Sequence, residues 1–467
     1  MVFSSLVFLF YFLPVVMILY FFSPTKVRNV IILISGIIFY AWGEPFYILI
    51  MLLSTAIDYT AGRMIDKFDG NEKLRRLFLI ISVLMNVGLL SVFKYGSFII
   101  TNINGLLGTN IFDPKLPLPI GISFYTFQSM SYTIDLYLRK IKVQKNFFSF
   151  AAYVTLFPQI VAGPIVRYED VAKEIDDRTV NIGKVSQGIG TFLKGLGKKV
   201  ILANNIGLVW SEVKAMDYSQ LPVLTAWIGI LAFAFQIYFD FSGYSDMAVG
   251  LGKMLGFNFP KNFDHPYISK SVSEFWRRWH ITLGSWFRSY VYIPLGGNRC
   301  GTLKTLRNLL ITWALTGLWH GADWNFIIWG LYFGILIIIE RVGFGKVLEK
   351  LPSAVSMLYT FLIVVIGWVF FDIEGFMPAV RYLGAMFGAS GIGFDSHSLY
   401  LLISNAAIFA ICIFGSTDFF DFYRDKLRSK KPEAAKIVTP VLQLAVLVLC
   451  TAYLTDASYN PFLYFKF

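Results

Sequence analysis

The feature that most constrains this chain is the recurrence, from one end to the other, of apolar stretches long enough to cross a bilayer. They run roughly 2–22, 29–42, 45–61, 77–95, 118–138, 187–211, 223–245, 305–319, 324–341, 354–371, 399–416 and 437–455. A span takes about 20 mostly apolar residues, so the sequence predicts an all-α polytopic membrane protein with about 11–12 transmembrane helices. Of 467 residues, 56% are hydrophobic and 15% charged, where soluble proteins carry about a quarter charged. Apolar surface on that scale needs lipid around it. No soluble domain fits between the segments, and residues 1–467 read as a single membrane domain. The opening MVFSSLVFLFYFLPVVMILYFF has no basic lead, and its apolar run exceeds that of a signal peptide, so it reads as a first retained span.

The formal charge of +12 raises nucleic acid as a partner, but its distribution argues for the membrane instead. With the N-terminus outside, the inner loops hold Lys26 and Arg28; Arg63, Lys67, Lys73, Arg75 and Arg76; Arg139, Lys140, Lys142 and Lys145; Arg341, Lys346 and Lys350; and Arg424, Lys426, Arg428, Lys430 and Lys431. The outer loops 102–117, 213–222 and 372–398 hold few cations and carry Asp113, Asp217, Asp372 and Asp395. That asymmetry supports both the spans and the orientation. An even span count then places both termini on the extracytoplasmic side of a bacterial plasma membrane.

Two long inner regions, 146–185 and 246–304, mix aromatic and apolar residues with Pro, Gly and charge. Neither can face lipid. Irregular backbone at membrane depth survives only inside protein or beside a water-filled cavity, so both read as re-entrant or interfacial segments within a ring of spans. In the second, Phe275, Trp276, Trp279, Trp286, Phe287 and Tyr290 interleave with Arg277, Arg278 and Arg288, a mixture suited to the inner interface. No internal repeat is evident, and no matched pair of Gly/Pro-broken spans of the kind transporters use.

Cys300, Cys412 and Cys450 lie far apart, without disulfide or zinc spacing. There is no HExxH, no close His pair and no GxSxG elbow, so no metal site is expected. Of four histidines, His320 sits in LTGLWHGADW at the end of 305–319. A span starting near Asn308 carries it about 18 Å in, past the middle of a core about 30 Å thick. An ionisable ring there is a functional candidate. A buried, hydrogen-bonded structural histidine accounts for the position equally well. Gly321 and Ala322 leave room for a ligand to approach. His280 closes WRRWH; alone it fits an interfacial residue, but two imidazoles in one cavity can take and return a proton near neutral pH. His265 and His397 receive no role. Asp240, Ser242, Ser245 and Asp246 in FSGYSD either line a polar cavity or cap helix ends, the cap being the simpler reading. The pattern offers a base without a protein nucleophile, which suits direct attack of a hydroxyl on an activated acyl donor. Were that donor a coenzyme A thioester, Arg277, Arg278, Arg288 and Arg299 could meet its phosphates, although positive-inside bias explains them nearly as well.

The stretches PLPIGISFYTFQSMSYTIDLY, LFPQIVAGPIVRY, QIYFDFSGYSDMAVGLGKMLGF, SEFWRRWHITLGSWFRSYVYIPLGGNR and LTGLWHGADWNFIIWG, with the ending PFLYFKF, resemble the membrane-bound O-acyltransferase family, specifically its alginate O-acetyltransferase subunit type. The resemblance covers nearly the whole chain. It implies a ring of helices around a thin central region, with His320 as the family's membrane histidine and His280 as its second catalytic residue. It implies acetyl-coenzyme A as a cytoplasmic donor substrate, with no permanently bound cofactor. It further implies a polysaccharide acceptor and a separate extracytoplasmic acetyltransferase protein as partner. A related branch D-alanylates teichoic acid from a carrier protein, and the motifs do not separate the two donors. A transporter, or a scaffold using loop 372–398 as a dock, would share the span pattern without the chemistry.

Overall fold

The computed structural model describes residues 1–456 and Leu463, so the ending PFLYFKF lies outside the described residues except for Leu463. Among the described residues every regular element is helical. Those used below are α1 (Leu13–Phe22), α2 (Arg28–Ala41), α3 (Ile48–Lys67), α4 (Glu72–Leu90), α5 (Ile122–Tyr137), α6 (Val223–Met254), α7 (Val272–Arg278), α8 (Ile281–Phe287), α9 (Thr302–His320), α10 (Trp324–Ile339), α11 (Ser353–Asp372) and α12 (Pro432–Asp456).

Among the described residues, six helical stretches are long and apolar enough to cross a membrane: Ile48–Lys67, Glu72–Leu107, Val223–Met254, Trp324–Lys350, Ser353–Asp372 and Pro432–Asp456. A seventh is counted if Ser396–Ser404 and Ala406–Gly415, bent by 54°, act together. The remaining apolar segments form shorter or more polar helices. Segment 118–138 becomes α5, about 24 Å long at 1.5 Å per residue, with nearly every side chain buried. Its apolar character serves protein contacts all round rather than lipid. Segment 187–211 is helical throughout and passes through a π-helical turn, Lys198–Ala203.

The chain divides into two compact units, Met1–Phe192 with Ser245–Pro260, and Leu193–Tyr244 with Lys261–Phe467. In the first, α3, α4 and α5 meet around a buried carboxylate. Asp58 accepts hydrogen bonds from Ser82 (2.6 Å) and Asn86 (2.8 and 3.0 Å), and Ser82 shares a bond of 3.0 Å with Thr133. A polar group without water must find such partners. Gly62 of α3 lies against the Tyr132 ring, where a Cβ would approach to 2.7 Å.

In the second unit, the FSGYSD residues do not cap anything: α6 runs straight through them. Asp240 instead pairs with Lys199 at 2.6 Å, both 2% exposed, so a buried charge is neutralised where the sequence suggested a helix end. The outer segment 372–398 is also more ordered than a loop. Phe376–Met386 is helical, the Tyr382 hydroxyl donates to the Ala226 carbonyl (2.8 Å), and Trp227 Nε1 donates to Met386 O (2.9 Å).

Candidate active site

The site is built where α7, α8, α9, α10 and α11 meet inside the second unit. α7 begins with a Ser271 cap, whose Oγ accepts from Glu274 N (3.0 Å). It ends at Trp279, and His280 then takes φ 44°, ψ 53° before α8 starts. A non-glycine residue in this left-handed region is strained by about 1–2 kcal/mol, and such strain concentrates at functional positions. The turn sends the His280 ring inward, to 2% exposure, against Phe241 (centroids 4.7 Å apart) and Phe263 (6.3 Å).

His280 Nδ1 lies 3.2 Å from Asn262 Oδ1. The same oxygen accepts from Thr282 N (3.2 Å) and Thr282 Oγ1 (2.9 Å). A backbone N–H only donates, so the Asn262 atom facing this turn is its oxygen. An oxygen acceptor requires a proton on Nδ1 and leaves Nε2 as the basic nitrogen of the neutral ring. His320 reaches the same state independently: its Nδ1 lies 2.8 Å from the Thr316 carbonyl, one turn back on α9, so this ring too presents Nε2.

The two rings flank one side chain. Trp319 stands 6.1 Å from the His280 ring and 5.0 Å from that of His320. His320, 3% exposed, also packs on Trp329 (4.9 Å) and Phe371 (5.5 Å). Trp276, Trp279 and Trp368 extend this aromatic lining. The indole N–H groups of Trp276 and Trp329 have no hydrogen-bond partner among the described residues. Buried donors are rarely left so. His280 lies outside the membrane-spanning helices; burial holds its imidazole well below the ordinary value, and a charge on His320 would act in the same direction.

Glycines set the positions of α9 and α10. A Cβ on Gly317 would come within 2.2 Å of Phe326 O, and one on Gly330 within 2.3 Å of Trp313 O. The helices therefore cross with backbone against backbone. Asp323 caps α10 through Asn325 N (2.8 Å), and Asn325 Nδ2 donates to Ile373 O at the end of α11 (2.7 Å). The space beside Gly321 does not stay open for a ligand as the sequence suggested. The Phe326 ring fills it, 2.1 Å from where a Cβ would stand.

At the other end of α7 lies a polar groove of about 510 Å³, lined by Lys270, Ser273, Arg277, Glu340, Arg341 and Glu349 among others. Glu340 is committed to the start of α7, accepting from Val272 N (2.6 Å), Ser273 N (2.9 Å) and Ser273 Oγ (2.7 Å). The side chains of Lys270, Arg277 and Arg341 have no ion-pair partner among the described residues. Of the four arginines singled out in the sequence, Arg277 alone lines this groove. Arg278 is held by Glu274 (2.8 Å) and by the Asp264 carbonyl (3.2 Å), while Arg288 and Arg299 are exposed elsewhere. His265 sits between Asp264 and Asp421, each 3.5 Å away, and His397 pairs with Glu212. Asn262, in KNFDHPY, escaped the sequence reading, because nothing local ties it to a histidine 18 residues on.

Residues 49–371 match the membrane-bound O-acyltransferase family. A probable alginate O-acetylase of Pseudomonas putida is 39% identical over all of both chains. A peptidoglycan O-acetyltransferase of Helicobacter pylori is 33% identical over 84% of this chain and 81% of its own. A teichoic acid D-alanyltransferase of Streptococcus thermophilus is 29% identical over 49% of this chain and 58% of its own.

Proposed function

The chain belongs to the membrane-bound O-acyltransferase family, and from that premise we propose that it carries acetyl from cytoplasmic acetyl-coenzyme A to a hydroxyl of an extracytoplasmic polysaccharide. The observation that carries this reading is the pair of buried histidines flanking Trp319, each with Nδ1 engaged and Nε2 as its basic nitrogen.

His320 Nε2 removes the proton from the incoming hydroxyl as its oxygen attacks the thioester carbonyl. The carbon–sulfur bond then breaks, and the departing thiolate takes that proton from His320, which returns the ring to its neutral form, while the neutral His280 orients the reacting groups. No acyl-enzyme is needed. The free indole N–H groups of Trp276 and Trp329 are donors for the oxygen on which negative charge develops. The aromatic lining excludes water, which would otherwise compete for the acyl group.

The groove of Lys270, Arg277 and Arg341 is suited to the phosphates of the donor. The groove runs along α7 from Lys270 to Arg277, three residues before His280, and the pantetheine arm would lead from there toward the histidines. The lysine- and arginine-rich loops, read as cytoplasmic, support a groove on that side and both termini outside. A separate extracytoplasmic acetyltransferase protein assists delivery of the group to the polymer.

Replacing His320 by Ala tests the reading in cells that make normal amounts of the protein. Polymer-bound acetate is expected to disappear; acetate at the wild-type level would exclude the mechanism. The likeness to the D-alanyltransferase supports a second reading, with D-alanine delivered by a carrier protein. Purified enzyme that releases coenzyme A from acetyl-coenzyme A in a His320-dependent way excludes that alternative.

A further inference from the structure

We propose that Asn262 is a positioning residue for the transfer reaction: its side-chain oxygen holds the His280 ring in one orientation and in the tautomer that presents Nε2. The proposal rests on the catalytic role given to His280 above.

Asn262 grips the His280 turn from both its main chain and its side chain. Its carbonyl accepts from Ile281 N (2.9 Å), and the adjacent rung runs from Asp264 N to Arg278 O (2.9 Å). Segment 262–264 is thereby laced to 278–281 on either side of the strained residue. The amide oxygen then takes both the N–H and the hydroxyl of Thr282 as well as His280 Nδ1. Two of those donors belong to the turn itself, so the oxygen is fixed before the imidazole meets it, and the ring must bring a proton on Nδ1.

The other half of the amide argues against a purely structural part. Asn262 is 2% exposed, and its Nδ2 group has no hydrogen-bond partner among the described residues. An unsatisfied buried donor of this kind costs about 1–3 kcal/mol. A residue selected only to tie the turn would avoid that cost. Aspartate would satisfy the same three donors without it, but would place a second ionisable group beside His280 and raise its affinity for protons. Asparagine accepts the same bonds and leaves His280 neutral.

The test uses full-length protein purified in detergent, with acetyl-coenzyme A as donor and coenzyme A release followed against pH. Asn262→Leu is expected to lose about 10²-fold in turnover, and to add no further loss to His280→Ala, because the two act as one unit. Asn262→Asp is expected to retain measurable turnover with the acid limb of its pH profile moved upward by about one unit or more. Each variant is compared at equal amounts of monodisperse protein, so that a folding defect in Asn262→Leu leaves the aspartate profile as the deciding measurement. A profile for Asn262→Asp that coincides with wild type, or a loss in Asn262→Leu that multiplies that of His280→Ala, would overturn the role of Asn262 alone. Wild-type turnover in His280→Ala would overturn the role of His280 and this proposal with it.

Discussion

Trp329 occupies the point where packing and chemistry can be separated by one atom. Its ring lies 4.9 Å from His320, and its indole N–H is buried without a partner among the described residues. Trp329→Phe keeps most of the ring and deletes the donor. If that N–H meets the carbonyl oxygen of the reacting thioester, turnover should fall toward the roughly 10²-fold loss that follows removal of one such donor. The smaller ring leaves a cavity at this fully buried site and costs some stability, so turnover is compared per folded molecule. A fall in stability with turnover per folded molecule preserved would place Trp329 in the packing alone. The pH response follows from His280. Its folded-state imidazole is held below the ordinary value, which is about 6.5. Above that value both folded and unfolded chains carry it neutral. As the pH falls below it, the unfolded chain takes up the proton first, so stability declines. Melting temperature is therefore expected to be level from about pH 8 to 6.5 and to fall below, whereas turnover per folded molecule follows the lowered folded-state imidazole and holds to a lower pH, as a melting series and a rate–pH profile would record. The scarcity of histidine and the depth of its span made His320 legible in the sequence. Asn262 and the left-handed turn at His280 were not, because a tautomer is set by contacts that bring residue 262 to residues 280 and 282.

At the scale of elements, the location of His320 depends on how closely α9 and α10 approach. Gly317 and Gly330 face each other: a Cβ on Gly317 would stand 3.3 Å from Gly330 Cα, and one on Gly330 would stand 3.1 Å from Gly317 Cα and N. Gly330→Ala should force the helices apart and lower stability by about 1–3 kcal/mol, the usual cost of overpacking. The displaced histidine should reduce turnover further than the loss of folded protein explains. Gly70→Ala, at a site with open space around it, is the matched control and should alter neither. Detergent melting curves together with turnover per folded molecule distinguish the two. The sequence announced both helices through their apolar length. α5 reads as a membrane segment although nearly every side chain is buried in protein, because a helix buried in protein and a helix buried in lipid have similar composition. Only the partner surfaces tell them apart. Region 246–304 stood apart in the sequence for the opposite reason: its mixture of charge, proline and aromatic residues reads as neither a plain span nor a plain loop, and it contains α7 and α8, two helices of seven residues each.

For the molecule as a whole, the question is which face receives the donor, and the groove at the start of α7 gives a sharp expectation. Arg277 and Arg278 are neighbours in sequence with different duties. Arg277 reaches the groove unpaired, whereas Arg278 is locked to Glu274. Were both merely part of a positive-inside bias, their removal would have similar effects on catalysis. If the groove receives phosphates, Arg277→Ala should raise the KM for acetyl-coenzyme A by about tenfold with kcat preserved, in line with the 1.5–3 kcal/mol of a charge-assisted hydrogen bond. The effect should shrink as salt is added, since an exposed cation is screened within about 8–10 Å at physiological ionic strength. Arg278→Ala should instead act through the stability of α7, with KM close to wild type. Sidedness can be read on the same molecule. A cysteine at Lys431 should react with an impermeant thiol reagent only after the cells are opened, and one at Ser219 should react in intact cells. Cys412 and Cys450 are buried, and a Cys300→Ser background removes the more accessible native thiol. Labelling of position 431 in intact cells would invert the orientation, and with it would put the groove on the side where coenzyme A is absent. The donor assignment and the topology therefore stand or fall on two independent measurements, one kinetic and one chemical, and only their agreement places the thioester and the histidines on a single path across the membrane.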